Sequence, residues 1–184
     1  NFLVGENSTG KSSILALLTL FSEPTFWFSQ DFNAAEVGLG TFQDIVSIDA
    51  NNRKYFQVGF VRVEPAPEGR RARSLAFLLR YVEEDAVPVV DHLHFMRDGQ
   101  VLKVAFQKNS GTYDFQTIKD TEVGDAEAMF RRWLHPAETA PGYQHKLRRL
   151  PVPRRNLLPL VEVLLRTEGY KRRRQREDAR EAEL

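Results

Sequence analysis

VGENSTGKSS, residues 4–13, sets Gly5 and Gly10 on either side of Glu6, Asn7, Ser8 and Thr9, with Lys11, Ser12 and Ser13 directly behind. This is the pattern G-x-x-x-x-G-K-[ST], a loop whose backbone N–H groups wrap around the phosphates of a nucleoside triphosphate. Gly5 and Gly10 permit the backbone angles and close approach that a Cβ would obstruct. The amides of residues 8–12 then converge on the β-phosphate at the positive end of a helix. Lys11 is expected to reach the β- and γ-phosphates as a point charge, Ser12 to offer its hydroxyl to Mg²⁺, and Ser13 to lend a second hydroxyl nearby.

The flanks agree with that pattern. NFLV (1–4) reads as the end of a buried strand, and SSILALLTLF (12–21) as a helix that is apolar on nearly every face and so wedged against a sheet. Strand, loop and helix occur in the order the motif needs.

With 184 residues, 42% of them hydrophobic, the chain can bury a core in one domain or two small ones. The absence of cysteine excludes disulfides and cysteine-based zinc sites and fits a reducing compartment, so the expected location is cytoplasmic. No apolar run approaches the roughly 20 residues of a membrane span, and no basic segment of a signal peptide is present, so no membrane partner is expected. The net charge is +1, but it is unevenly spread: residues 146–184 hold 12 basic against 6 acidic groups. A surface for an acidic partner is therefore expected toward that end.

Asn7 ahead of STGKSS makes the loop resemble the G-x-N-x-x-G-K-S/T version of ABC-type and SMC-like ATPases. GLGTFQDIV (38–46) is similar to the stretch that follows the Walker A helix in stand-alone AAA ATPases related to the OLD (overcoming lysogenization defect) family. Together the two segments span residues 1 to about 48. The resemblance implies two heads that close around ATP, the Walker A loop of one facing a Ser-Gly-Gly-type signature in the other. No such signature occurs in the sequence, nor does an apolar run ending in Asp-Glu, the Walker B pattern. The nearest stand-in is VPVVDH (87–92), which would make Asp91 a Mg²⁺ ligand. Pro88 disfavours a central parallel strand there, and the segment runs into the hairpin signal RDGQ, so a solvent-facing strand residue is the simpler expectation. Glu83, Glu84 and Asp85 read as a charged turn.

From residue 41 the pattern becomes that of strands. TFQDIVSI (41–48), KYFQVGFVRVE (54–64), RSLAFLLRYVE (73–83), VVDHLHFMRD (89–98), QVLKVAFQK (100–108) and GTYDFQTIKD (111–120) alternate with turn clusters, which predicts an antiparallel meander. DAEAMFRRWL (125–134) predicts a helix that ends before Pro136. A loop is predicted over 136–155, then a helix running from an apolar stripe into a charged tail. The expected division is an ATP-binding lobe at 1–124 and a helical segment with a basic loop at 125–184, the start of a coiled-coil or helical insertion that the chain leaves in mid-structure.

Four further groups carry candidate chemistry. Gln43, at the start of a predicted strand, stands where the Q-loop glutamine of an ABC-type head would touch Mg²⁺, as the resemblance implies; Gln30 competes for that role. His92 and His94 share a strand face and would hold a metal only with a third ligand, which sensible spacing does not supply. KLRRLPVPRR (146–155) offers Lys146, Arg148, Arg149, Arg154 and Arg155 to a nucleic-acid backbone, whereas the basic run 171–176 is followed by Glu177, Asp178, Glu181 and Glu183 and reads as a solvated, ion-paired helix. Phe26, Trp27 and Phe28 could stack on adenine, although core packing is the simpler role.

The expected fold is therefore α/β: a P-loop NTPase core of ABC/SMC-like type, an antiparallel β-lobe and a C-terminal helical segment. The resemblance implies an ATPase using ATP and Mg²⁺, a second head as partner in a homodimer or higher oligomer, and an attached effector such as a nuclease. It also implies a setting in DNA processing or antiviral defence. The alternatives are a self-contained P-loop kinase or phosphotransferase using Asp91, and a non-hydrolysing ATP sensor that acts as an interaction module.

Overall fold

Six strands pair in simple chain order, each antiparallel to the next: β1 (Tyr55–Glu64), β2 (Arg73–Glu84), β3 (Val87–Arg97), β4 (Gln100–Gln107), β5 (Ser110–Thr117) and β6 (Gln144–Leu147). The computed structural model describes residues 11–34, 37–46, 54–64, 73–107, 110–117, 123–134, 144–147 and 157–182. The meander follows from sequence: β-branched and aromatic residues recur with period two, and the breaks fall at turn formers. Asp98 (φ 49°) and Gly99 (φ 80°) make the β3–β4 turn in the left-handed geometry that matches strand twist. Asp85 (φ 53°) and Ala86 (φ 63°) make the β2–β3 turn the same way, with an alanine at a position that favours glycine.

Five helices accompany the sheet among the described residues: α1 (Lys11–Ser22), α2 (Phe26–Ser29), α3 (Phe42–Ile45), α4 (Val123–Leu134) and α5 (Leu157–Ala182). One sheet face, built by Phe77, Leu79, Tyr81, Leu93, Leu102 and Val104, packs against Leu20 of α1, Phe26 of α2, Phe32, and Leu157, Val161, Leu164 and Leu165 of α5. The aromatic rings there meet edge to face, as their quadrupoles favour: Phe32 lies 5.0 Å from Tyr81 at 88° and 5.3 Å from Phe26 at 85°. The opposite face, with Ala76, Leu78, Met96 and Val101, carries α4 through Ala126 and Trp133. Gly59 is required at that contact. A Cβ there would run into the carbonyl oxygen of Phe77, the side chain of Leu78 and the ring of Phe130.

α5 is amphipathic, and its buried polar group is provided for. Glu168, 7% exposed, accepts the Tyr113 hydroxyl at 2.9 Å and the Lys171 ammonium at 2.8 Å, which pins the middle of the helix to β5.

Two sequence expectations are corrected by these elements. Within the strand predicted over 41–48, Phe42–Ile45 instead form the single helical turn α3, and 47–48 lie outside the described residues. Its Thr41–Asp44 capping box satisfies the free amides at the turn's start, and the Asp44 carboxylate accepts both the Thr41 N–H and hydroxyl at 2.7 Å. Hydrogen bonds from the Thr41 backbone and side chain hold the Asp44 carboxyl below its ordinary range. The loop predicted over 136–155 contains β6, which pairs Gln144–Leu147 with Gly111–Asp114 and extends the sheet by a sixth strand. The sheet is wholly antiparallel among the described residues. NFLV, the expected buried strand, lies outside them. Among them, no helix is long and apolar enough to cross a membrane.

Candidate functional site

Helix α1 is described from Lys11, the residue directly after the second glycine of the motif. Ser12 and Ser13 lie in its first turn and are exposed, and that turn holds no acidic residue. An anion at the N-terminal end of this helix would meet the positive end of its dipole, and the described turn adds no carboxylate against it. Gly5, Glu6, Asn7, Ser8, Thr9 and Gly10 lie outside the described residues.

One turn further on, α1 departs from the pattern of a surface helix. Leu20 is buried against the sheet, yet Ile14, Leu15 and Leu18 are 45%, 54% and 58% exposed. Between this helix and strands β1 and β2 runs an apolar groove of about 510 Å³, with Leu18, Trp27, Val58, Phe60 and Phe77 in its walls. Phe60 is itself 46% exposed on β1, an edge strand of the sheet. Contiguous apolar surface of this kind marks a face built to be covered.

Gln43 sits on α3, exposed, and its side-chain amide donates to the Glu83 carboxylate. Its place is thus a helical turn rather than a strand, beside an acidic partner at the end of β2. Gln30, which competes for the same role, ends α2 in a left-handed conformation (φ 52°) and is buried. Phe26 is fully buried, and the Trp27 indole donates to the Phe21 carbonyl at 3.1 Å, so both serve the core; Phe28 is 52% exposed.

Asp91 is not placed as a magnesium ligand. It occupies a bulge on β3, where the register with β2 shifts, and its carboxylate is taken up by the Arg80 guanidinium: Nε to Oδ1 at 2.9 Å and Nη2 to Oδ2 at 2.6 Å. His92 Nδ1 lies 2.6 Å from the Arg80 guanidinium and 3.1 Å from Asp91 Oδ2, and the guanidinium lies 5.3 Å above the ring of Tyr55. Burial alone would raise the Asp91 carboxyl, but hydrogen bonding and charge from His92 and Arg80 outweigh it and hold it below the usual range. A bidentate arginine leaves this carboxylate little capacity for a cation.

His92 and His94 do not act together either. His92 faces Arg80 and Asp91, while His94 packs edge-on against Trp133 at 5.2 Å. Burial, reinforced by the positive charges of Lys103, His92 and Arg80, pushes the His94 imidazole down to about 3, so it is neutral at physiological pH. Among the described residues, no group of three His, Cys, Asp or Glu is placed to hold a metal ion.

Of the basic segment, Lys146 lies in β6 opposite Thr112, and Arg148, Arg149, Arg154 and Arg155 lie outside the described residues. Arg80 was not legible as a partner of Asp91 from composition. The turn at Asp85 and Ala86 sets the hairpin, but the bulge at Asp91 moves Arg80 opposite His92, so the Arg80–Asp91 ion pair depends on a register shift that the sequence does not announce.

Scans of the chain against protein-family models, curated proteins and solved structures find no match.

Proposed function

We propose that this chain is the ATP-binding lobe of an ABC/SMC-like ATPase related to the OLD family, in which a P-loop NTPase core is completed around residues 5–13. The observation that carries the reading is that the chain is already helical at Lys11, directly behind the motif's second glycine, with Ser12 and Ser13 exposed and no acidic group in that turn. A Walker A loop needs this arrangement: a helix N-terminus immediately behind the second glycine, the lysine and hydroxyl at its mouth. The apolar outer side of α1 supports the same reading, since the helix of a P-loop unit is packed against the sheet whose strand precedes the loop.

In this proposal ATP·Mg²⁺ binds at Gly5–Ser13, with Lys11 on the β- and γ-phosphates and Ser12 on the cation. The bound triphosphate creates a face for a second head, and hydrolysis releases it, switching an attached effector such as a nuclease in DNA processing or antiviral defence. The Arg80–Asp91 pair counts against a self-contained kinase that uses Asp91 for magnesium.

Sedimentation of the full chain with a non-hydrolysable ATP analogue and Mg²⁺, alongside a phosphate-release assay, tests the proposal. A nucleotide-dependent dimer that Lys11→Ala abolishes supports paired heads. A monomer that binds ATP with no turnover favours the sensor, and a monomer that transfers the γ-phosphate to an acceptor favours the kinase.

A further inference from the structure

A second phosphate site, independent of the P-loop, follows from the opposite end of the hairpins. Arg62, Leu75 and Arg97 lie side by side across β1, β2 and β3, paired Arg62↔Leu75 and Leu75↔Arg97. Arg73 stands two residues from Leu75 on the same strand and therefore on the same face. These residues line one open pocket of about 300 Å³, together with Glu64 and Asp98. Neighbouring strands lie about 4.8 Å apart and alternate residues about 7 Å, so the three arginine Cα atoms form a triangle with sides of roughly 8–10 Å. Three long side chains on such a triangle can converge on one group.

Three guanidinium groups face two carboxylates in the pocket, of which one is ion-paired and the other keeps its charge in a turn, leaving a net positive site. Glu64 holds Arg62 at 2.7 Å, and Asp98 accepts the Ser74 N–H at 3.3 Å as part of the β3–β4 turn. Arg73 and Arg97 are exposed and have no ion pair among the described residues. Rigid strands thus present guanidinium forks whose geometry suits bidentate contact with phosphate oxygens. A triangle, rather than a line, matches a terminal phosphate with three free oxygens and close to two negative charges better than it matches the succession of single-charge diesters along a strand.

We infer that Arg62, Arg73 and Arg97 form a binding site for a terminal phosphate monoester, carried by a small molecule or by the 5′ end of a nucleic acid. The site is tested in the full chain carrying Lys11→Ala, which removes the P-loop lysine from the comparison. Fluorescence titrations use a nucleoside monophosphate against its nucleoside, and a 5′-phosphorylated oligonucleotide against the same oligonucleotide with a 5′-hydroxyl. The expected result is a phosphate-dependent affinity in at least one pair, weakened about tenfold or more by Arg73→Gln and by Arg97→Gln. Arg173→Gln, the same charge change on exposed α5, leaves it unaltered, and all three variants keep the urea midpoint of the parent. Tighter binding of the mononucleotide identifies a small-molecule source, and tighter binding of the oligonucleotide a polymer end. Equal binding of phosphorylated and unphosphorylated probes in both pairs, or a loss with Arg173→Gln as large as with Arg73→Gln, overturns the site.

Discussion

Helices α1 and α5 pack on the same face of the same sheet, yet they treat water differently. In α5 the apolar residues Leu157, Val161, Leu164 and Leu165 are all buried, while Glu162 and Arg166 form an i,i+4 ion pair on the exposed side and Val163 is the exception there. In α1, Leu20 is buried, but Ile14, Leu15 and Leu18 form an exposed stripe beside the apolar groove. The sheet covers most of the described apolar residues of α5, Val163 excepted, and a smaller share of those of α1. A helix following a Walker A motif is thus the element whose sequence anticipates more cover than the described residues provide.

The largest effect that sharpens this contrast comes from truncating one leucine in each helix. Leu164→Ala should cost about 2–5 kcal/mol of unfolding free energy, from lost transfer and a residual cavity. Leu18→Ala, at 58% exposure, should stay within about 0.5 kcal/mol in the same urea titration. Equal losses would break the comparison, because they would mean that the outer side of α1 is already packed.

Acid sensitivity is expected from the other face of the sheet, and its sign follows from His94. Burial depresses the folded-state value of this imidazole from 6.5 to about 3, so the unfolded chain binds the proton more readily. The stability this contributes is complete above pH 6.5 and is lost as pH falls toward 3. Urea midpoints measured between pH 6.5 and 4.5 should decline in the wild type and decline less steeply in His94→Gln. The gap between Leu164→Ala and Leu18→Ala should persist over that range, since neither helix packs on the His94 face; a gap that closes would tie α5 to the α4 side.

The smallest effect is local. Ala86 holds φ 63° in the β2–β3 turn, where glycine carries no Cβ penalty. Ala86→Gly should stabilise by about 0.5–1 kcal/mol, against the usual entropic cost of glycine. Its carbonyl accepts the Phe42 N–H at 3.0 Å, so the variant also reports whether α3 rests on this turn.

The meander was legible because alternation and turn chemistry agree from Tyr55 to Thr117: each strand's period-two pattern ends at residues such as Asp98–Gly99 that can only turn. TFQDIVSI was misread because its β-branched and aromatic composition outweighed a short-range signal that was present, Thr41 followed three residues later by Asp44, which caps one helical turn. β6 is not legible in sequence because QHKL is too short for a period and is held by its pairing with β5. At the candidate site, the helix after the loop was legible in outline, and the chain is helical from Lys11 to Ser22 among the described residues. The tie of Asp91 to Arg80 was not legible because it depends on a bulge that shifts the β2–β3 register, and that of Gln43 to Glu83 because it joins residues 40 positions apart through tertiary packing.

The most direct test is equilibrium binding of ATP, with and without Mg²⁺, to the full chain and to its Lys11→Ala variant. The expected result is one ATP per chain in the wild type, tighter with Mg²⁺, and weakened by about tenfold to a hundredfold in Lys11→Ala at an unchanged urea midpoint. Equal affinity in the two proteins, or no binding in a folded wild type, would contradict the assignment of residues 5–13 as a triphosphate cradle.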